Sequence, residues 1–295
     1  MNITQSPLSP FLIPNHRVDF SQAVPTDLAL KPTPALEANR DFFNVSQWAK
    51  NYFEACHRSE EFKARWLAAT GSWDSKVVVD IGCGPGNLYA TVGSRPETLI
   101  GVDVAQTALQ MAEEIGYTPL LADAHALPLK SEFADIVALN ATLHHCQDMV
   151  QVLEEAARLV RPGGLLIIDH DPQRAAWNYK RLGMAFYRLR HLIYHYCLPD
   201  LDMDKQERTS ALATEIHHHP GDGVTAELFM QTLLPRGFNV NLYPHNQTLG
   251  AEVLAGDIGN PPHWRYWVGQ RLSGIDSKLP EAALSLMCVA QRHSL

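Results

Sequence analysis

No apolar run in the sequence approaches the roughly 20 residues needed to span a bilayer, so no transmembrane helix is expected. The N-terminus lacks the charged-then-apolar pattern of a secretory signal, and a cytoplasmic protein is the expectation. Cysteine is sparse. The five residues Cys56, Cys83, Cys146, Cys197 and Cys288 are odd in number and form no C-x-x-C pair, which points to reduced thiols. Positive charge is in deficit, with 24 Lys and Arg against 32 Asp and Glu. A polyanion would be repelled overall, which argues against a nucleic-acid partner. What is present suffices for a sizeable core: 46% of the 295 residues are hydrophobic and only 19% charged. That length fits one elaborated α/β domain, or one domain with a lid.

Residues 1–38 carry Pro7, Pro10, Pro14, Pro25, Pro32 and Pro34, which forbid a long helix and suggest an extended arm. In residues 39–75, Phe42, Val45, Ala49, Tyr52 and Phe53 recur at helical spacing, as do Phe62, Trp66 and Leu67. Two helices are expected there. From Lys76, short apolar strands alternate with helices. Val77–Ile81, Leu99–Val102, Pro119–Leu121, Ile136–Leu139 and Leu165–Asp169 read as buried strands. Helices are expected over Ala105–Ile115 and over Met149–Val160, the latter with Val150, Leu153, Ala157 and Val160 on one face. Arg161-Pro162-Gly163-Gly164 then stops the helix. Such alternation implies a parallel sheet covered on both faces. Residues 172–222 break the rhythm and read as a helical lid. Residues 223–295 return to it, with a helix over Thr225–Leu234, strands at Phe238–Tyr243 and Leu284–Ala290, and an excursion at 246–280.

The densest signal is the run Val77 to Asn87, where a buried strand enters glycines at Gly82, Gly84 and Gly86 and then a short helix. Glycines there let the backbone approach a ligand without Cβ clashes, and the helix start aims N–H groups at it. Nicotinamide and flavin enzymes use such a turn too. Their pattern needs a further glycine where this chain has Asn87. Asp80, just before the glycines, would repel a pyrophosphate but suits a ligand that carries an ammonium and a sulfonium. Asp103 ends the second strand and can accept both hydroxyls of a ribose. Asp123 follows the third strand; it can take an adenine amino group, with the neighbouring Ala124 N–H serving a ring nitrogen. A lone aspartate is more often a cap or a solvated loop residue. Three at successive strand ends beside one glycine loop favour a ligand.

Residues 76–171 resemble the core of class I S-adenosylmethionine-dependent methyltransferases, especially the branch of ubiquinone and menaquinone biosynthesis. The resemblance rests on Asp80–Gly86, on Asp103, and on Asp123-Ala124-His125-Ala126-Leu127-Pro128-Leu129. It rests further on Phe133–Val137 with Asn140–His145, and on Leu159–Gly164. It covers about a third of the chain. It implies a Rossmann-like, mostly parallel sheet of seven strands, the last antiparallel, with helices on both faces and a helical insert. It implies S-adenosylmethionine as cofactor, held by Asp80, Gly82, Gly84, Gly86, Asp103, Val104, Asp123, Ala124 and Asn140. It also implies that the helices before the core, with Trp48 and Tyr52, fold over the cofactor; core packing explains those two side chains equally well.

Methyl transfer to oxygen or nitrogen needs an aligned acceptor and often a base. The candidates are His144 and His145 after the fourth strand and His218 in the insert. His170 and Asp171 close the fifth strand, either facing the cleft or capping a helix. His217, His218 and His219 are consecutive, so their side chains diverge and no metal site is assigned to them. Residues 172–199 contain Arg174, Lys180, Arg181, Arg188 and Arg190, six aromatics and no acid. This fits a lid for an anionic or aromatic acceptor, an interfacial helix, an RNA patch, or an ordinary amphipathic helix with a solvated basic face. Trp264, Tyr266 and Trp267 form either a second substrate wall or a homodimer contact.

The expected function is methylation of O or N on a small-molecule metabolite. The alternatives are the same fold using the cofactor for cyclisation, and a non-catalytic cofactor-binding module. The chain lacks the Asn-Pro-Pro-Tyr-type tetrapeptide and the Pro-Cys pair of nucleic-acid methylation. This reading predicts that Asp103→Ala abolishes cofactor binding; near-normal affinity in calorimetry would remove Asp103 from the site.

Overall fold

The strands form where β-branched and apolar residues run together, and the helices where apolar residues recur on one face. A computed structural model describes residues 6–196 and 205–294, and the side chains among them except 190–196 and 205. Cys197 and the side chains of Arg190, Tyr194 and Tyr196 lie outside the described residues. The N-terminal part gives β1 (Val18–Asp19), β2 (Thr26–Asp27), α1 (Pro34–Phe43), α2 (Ser46–Ala55) and α3 (Glu60–Thr70). The central part alternates β3 (Val77–Ile81), α4 (Asn87–Val92), β4 (Thr98–Asp103), α5 (Gln106–Glu114) and β5 (Thr118–Leu121), then β6 (Ala134–Asn140), α6 (Met149–Leu159) and β7 (Val160–Asp169). The remainder is α7 (Arg181–Tyr196), α8 (Lys205–Thr214), α9 (Ala226–Leu233), β8 (Phe238–His245), α10 (Trp264–Ser273) and β9 (Ser285–Arg292).

One sheet runs in the order β1-β2-β5-β4-β3-β6-β7-β9-β8. Strands β5, β4, β3, β6 and β7 are parallel, and β9 is antiparallel to both β7 and β8. The sheet has nine strands, not the seven expected from sequence. The extra pair comes from the proline-rich arm, where two-residue strands leave no readable periodicity. Thr26 pairs with Leu121 at the edge of β5, and the Leu121 N–H donates to the Pro25 carbonyl. The arm is held further by Leu8, which is fully buried, and by the Ile13 N–H bonded to the Pro128 carbonyl.

Alternate residues of β3 face opposite layers, as the pleat requires. Val79 and Ile81 pack with Leu153 of α6 and Phe229 of α9, whereas Val78 packs with Trp66 of α3, Leu88 of α4 and Leu109 of α5. Helices thus cover both faces of a mixed sheet in a Rossmann-like arrangement. The buried stripe of α6 is Val152, Leu153, Ala156, Ala157 and Leu159; Val150, expected on that face, is exposed. Arg161–Gly164 does not form a separate turn. It is a bulge inside β7, between the pairs Ala134–Val160 and Ile136–Leu165. Thr225 caps α9 by accepting the Leu228 N–H.

From β3 the chain builds β4 and β5 on one side, then returns to build β6 and β7 on the other. The order reverses at β3, and a crevice opens there at the carboxyl ends of the strands. Beside that crevice a buried ion pair ties α3 to the sheet. Arg65 of α3 donates through Nε to Asp169 Oδ2 at 3.0 Å, and both side chains are fully buried. His245, at the end of β8, lies with Nε2 2.7 Å from Asp169 Oδ1. Its Nδ1 accepts the Gln247 N–H, so Nε2 carries the proton and donates. Burial alone would raise the Asp169 carboxyl, but Arg65 above all holds it well below the usual range. Removing one partner leaves a buried charge uncompensated. Arg65→Ala is expected to cost about 3–5 kcal/mol of stability in urea unfolding; a cost under about 1 kcal/mol, the worth of an exposed pair, would show that Asp169 is not held this way.

Candidate active site

The turn after β3 can form only with glycine. Gly82 has φ +71°, and a Cβ there would lie 2.5 Å from Thr142 Cγ2. Gly84, at φ +52°, has nothing within 4 Å of its Cβ position, so its backbone faces open space. That space is an open cleft. Asp80, Gly82 and Gly84 line it from β3, Asp103 and Val104 from β4, Asp123 and Ala124 from β5, and Asn140 from β6. Gly86 does not line it; a Cβ there would meet Ile115 and Tyr117 instead. Leu36, Phe43, Tyr52 and His57 close the cleft from α1, α2 and the turn that follows. Trp48 is buried against Phe42 and does not face it.

The carboxylates are held by specific donors. Asp80 accepts from the Tyr117 hydroxyl at 2.6 Å. Asp103 accepts three backbone N–H groups, from Gly84 at 2.8 Å, Val104 at 2.7 Å and Ala105 at 3.0 Å. Asp123 accepts from the His125 N–H and lies 2.6 Å from its Nδ1. Burial pushes Asp80 up to about 7; the Tyr117 hydrogen bond opposes the rise and the Asp103 charge adds to it. Burial also raises Asp103, against its three N–H bonds. Burial acts upward on Asp123 as well, but the His125 contacts hold it below the usual value.

Two acids raised together mark a place short of positive charge. Asn87 and Asn140 are buried, line the same cleft, and leave their Oδ1 atoms without a hydrogen-bond partner. A ligand that brings a cation and several donors fits this lining; a pyrophosphate does not. Tyr117 was not singled out from sequence. It reaches Asp80 across 37 residues, and no local pattern announces such a contact. Asn87 stood out only as the missing glycine, yet its Nδ2 donates to the carbonyls of Tyr52, Phe53 and Cys56 and so holds the end of α2 over the cleft.

The histidines divide by position. His145 lines the cleft; His144 and His218 do not. The His145 Nδ1–H donates to the Thr214 carbonyl at 2.7 Å, so Nε2 carries the lone pair. Burial, and next the charge of His144, lower its pKa to about 3. His144 lies with Nδ1 2.7 Å from Asp171 Oδ1, and its Nε2 is 3.5 Å from Glu215 Oε2. Burial opposes its charge, but the two acids outweigh burial and raise it to about 9. Glu215 is held well below the usual carboxylate range by His144 and His218, against burial. His218 lies with Nδ1 2.6 Å from Glu215 Oε2 and packs edge-on against Trp177. His217 turns away, with Nδ1 2.8 Å from Asp222. His170 packs against His57 rather than the cleft, and Asp171 serves His144 instead of capping a helix. No described residue of 172–199 lines the cleft. Trp264 and Trp267 are exposed on α10, while Tyr266 packs on Trp177. Cys56, Cys83, Cys146 and Cys288 are free thiols. No helix among the described residues is long and apolar enough to cross a membrane.

Residues 79–168 match the family described as "Methyltransferase domain". A ubiquinone biosynthesis O-methyltransferase of Stutzerimonas stutzeri is 29% identical over 136 residues, which is 42% of this chain and 58% of that protein. One of Thiobacillus denitrificans is 30% identical over 120 residues, 38% of this chain and 51% of that one. The chain thus spans little more than half the length of these relatives. Among solved structures, geranyl diphosphate C-methyltransferase of Streptomyces coelicolor A3(2) superposes with a TM-score of 0.51 at 14% identity, covering 88% of this chain and 98% of that one. The [4+2]-cyclase SpnF does so with a TM-score of 0.51 at 16% identity, over 90% and 99% of the two chains. Identities this low speak for the fold and not for the chemistry. Fold, family match and relatives agree that residues 79–168 form a methyltransferase domain of the class I S-adenosylmethionine-dependent kind.

Proposed function

We propose that this protein transfers a methyl group from S-adenosylmethionine to a hydroxyl oxygen of a small aromatic acceptor of the quinone-precursor kind. The observation that carries the reading is the pair of acids in the cleft, buried Asp80 and half-buried Asp103, beside the open backbone of Gly84. Asp80 is placed to meet an ammonium group and Asp103 the hydroxyls of a ribose. Asp123 and the Ala124 N–H serve adenine, and the Oδ1 atoms of Asn87 and Asn140 remain to accept from donors. When bound, the cofactor supplies a sulfonium methyl, an electrophilic carbon that reacts with an aligned nucleophile. Phe43 and Tyr52, edge-on at 5.3 Å, give an aromatic wall that excludes water and suits a flat ring. The acceptor's hydroxyl lies at the His145 end, with His144 and Glu215 behind it. The choice of oxygen and of a quinone precursor rests on the names of the relatives.

Methyl-labelled S-adenosylmethionine offered with hydroxylated aromatic acids and quinone precursors should put label on oxygen. His145→Ala should lose turnover while it keeps cofactor affinity. Label on nitrogen or carbon, or tight cofactor binding with no product across the panel, would overturn the proposal.

The raised Asp80 gives a second test. A cationic ligand favours its ionised form. Above about 7 the carboxylate is already ionised; below it, binding must expel a proton. Cofactor affinity should therefore fall by up to about tenfold per pH unit below that point, and Asp80→Asn should flatten the profile. A flat wild-type profile would show that Asp80 does not meet the cation.

A further inference from the structure

Behind the acceptor end of the cleft, His144, His145 and Glu215 each bring one ligand atom to within 4.8 Å of the others. Both Nδ1 atoms are engaged, His144 with Asp171 and His145 with the Thr214 carbonyl, each at 2.7 Å. That leaves the two Nε2 atoms for the shared space. A carboxylate or a backbone carbonyl on the far nitrogen is how metal-binding histidines are held in tautomer and orientation.

The spacing agrees. His144 Nε2 and Glu215 Oε2 are 3.5 Å apart. A charge-assisted hydrogen bond would draw them to about 2.7–2.9 Å. Two ligands of one tetrahedral ion, with bonds of about 2.0–2.2 Å, stand about 3.4 Å apart. The charges agree as well. Asp171 is fully buried, and its Oδ2 has no hydrogen-bond partner. Asp171 and Glu215 set two carboxylates beside the imidazole pair, an acid-rich lining that suits a divalent cation. The consecutive histidines His217 and His218 contribute no ligand, since they turn to Asp222 and Glu215.

We propose that His144 Nε2, His145 Nε2 and the Glu215 carboxylate bind one divalent ion of the zinc class, with Asp171 and the Thr214 carbonyl orienting the two rings and His218 steadying Glu215. Two imidazoles and one carboxylate suit Zn²⁺ and its first-row neighbours, and three protein ligands leave a position for a small oxygen ligand. His145 lines the cleft, so that position opens toward the acceptor. Resting on the methyl-transfer reading above, the ion would bind the acceptor's hydroxyl oxygen and lower its pKa, the proton passing to water.

The probe is Co²⁺ alone, added to EDTA-treated protein and followed by its visible absorption and by metal analysis, with Zn²⁺ as competitor. One Co²⁺ per chain is expected, with the intense bands of a low-coordinate nitrogen–oxygen site. Glu215→Gln and His145→Gln should abolish the bands, and Asp171→Asn should weaken binding by roughly 10- to 100-fold. S-adenosylhomocysteine affinity, unchanged in the same variants, reports that they are folded. Wild-type protein that takes up no Co²⁺, or folded variants that bind it as well as wild type, overturns the site. Co²⁺ bound as expected with no methylated product in the presence or absence of the ion overturns the methyl-transfer reading and leaves the metal site standing.

Discussion

A carboxylate without access to water must find its partners in the protein, and Asp169 finds them in distant parts of the chain. Arg65 comes from α3 and His245 from the end of β8, and Asp169 itself ends β7. The contact fixes α3, the helix after the turn that carries His57, to the end of β7. Arg65 also donates to the Leu249 carbonyl, which draws in the segment after β8. His170 follows Asp169 at a positive φ of 65° and turns its ring onto His57 and Phe62, at the edge of the cleft. The position of α2 and the turn after it, and with them Tyr52 and His57, depends on this anchor and on the three hydrogen bonds from Asn87.

The electrostatics of the cleft follow from a shortage of donors. Asp80 has the Tyr117 hydroxyl and Asp103 has backbone N–H groups, but among the described residues no Lys or Arg lines the cleft beside them. Burial therefore raises both carboxyls. Two raised carboxyls favour a positively charged guest, and a glycine loop of a kind that elsewhere cradles phosphates stands here beside acids. At the other end the balance is reversed. Asp171 and Glu215 bracket His144, and the His144 and His218 imidazoles hold the Glu215 carboxyl well below the usual range.

Much of the cofactor end was legible because it is local. Asp80, Gly82 and Gly84 lie within one strand and its turn, and Asp103 and Asp123 each follow an apolar strand that the eye can find. Parallel pairing then brings the strand ends together at one edge of the sheet. The histidine end was not legible. His144 and His145 are adjacent in sequence, yet one is buried behind the cleft with its pKa raised while the other faces the cleft with its pKa lowered. The difference is made by Asp171, just after β7, and by Thr214 and Glu215, which arrive with the insert; they lie 27 to 71 residues away. His218 read as a candidate by type alone; it stands off the cleft lining, in contact with Glu215 and Trp177.

The sequence by itself determined the alternation of strands and helices, the turn at Gly82–Gly84, and the acids that surround it. Those depend on side-chain periodicity and on backbone angles, which are properties of neighbouring residues. Only the tertiary structure decided that the proline-rich arm adds two strands to the sheet, that Tyr117 restrains Asp80, and that Glu215 joins the histidine pair. A two-residue strand has no period to read, and a hydrogen bond across 37 residues exists only after the sheet has brought its ends together. The protonation of each histidine depends on burial and on charges from remote segments, and neither exists until the chain has folded.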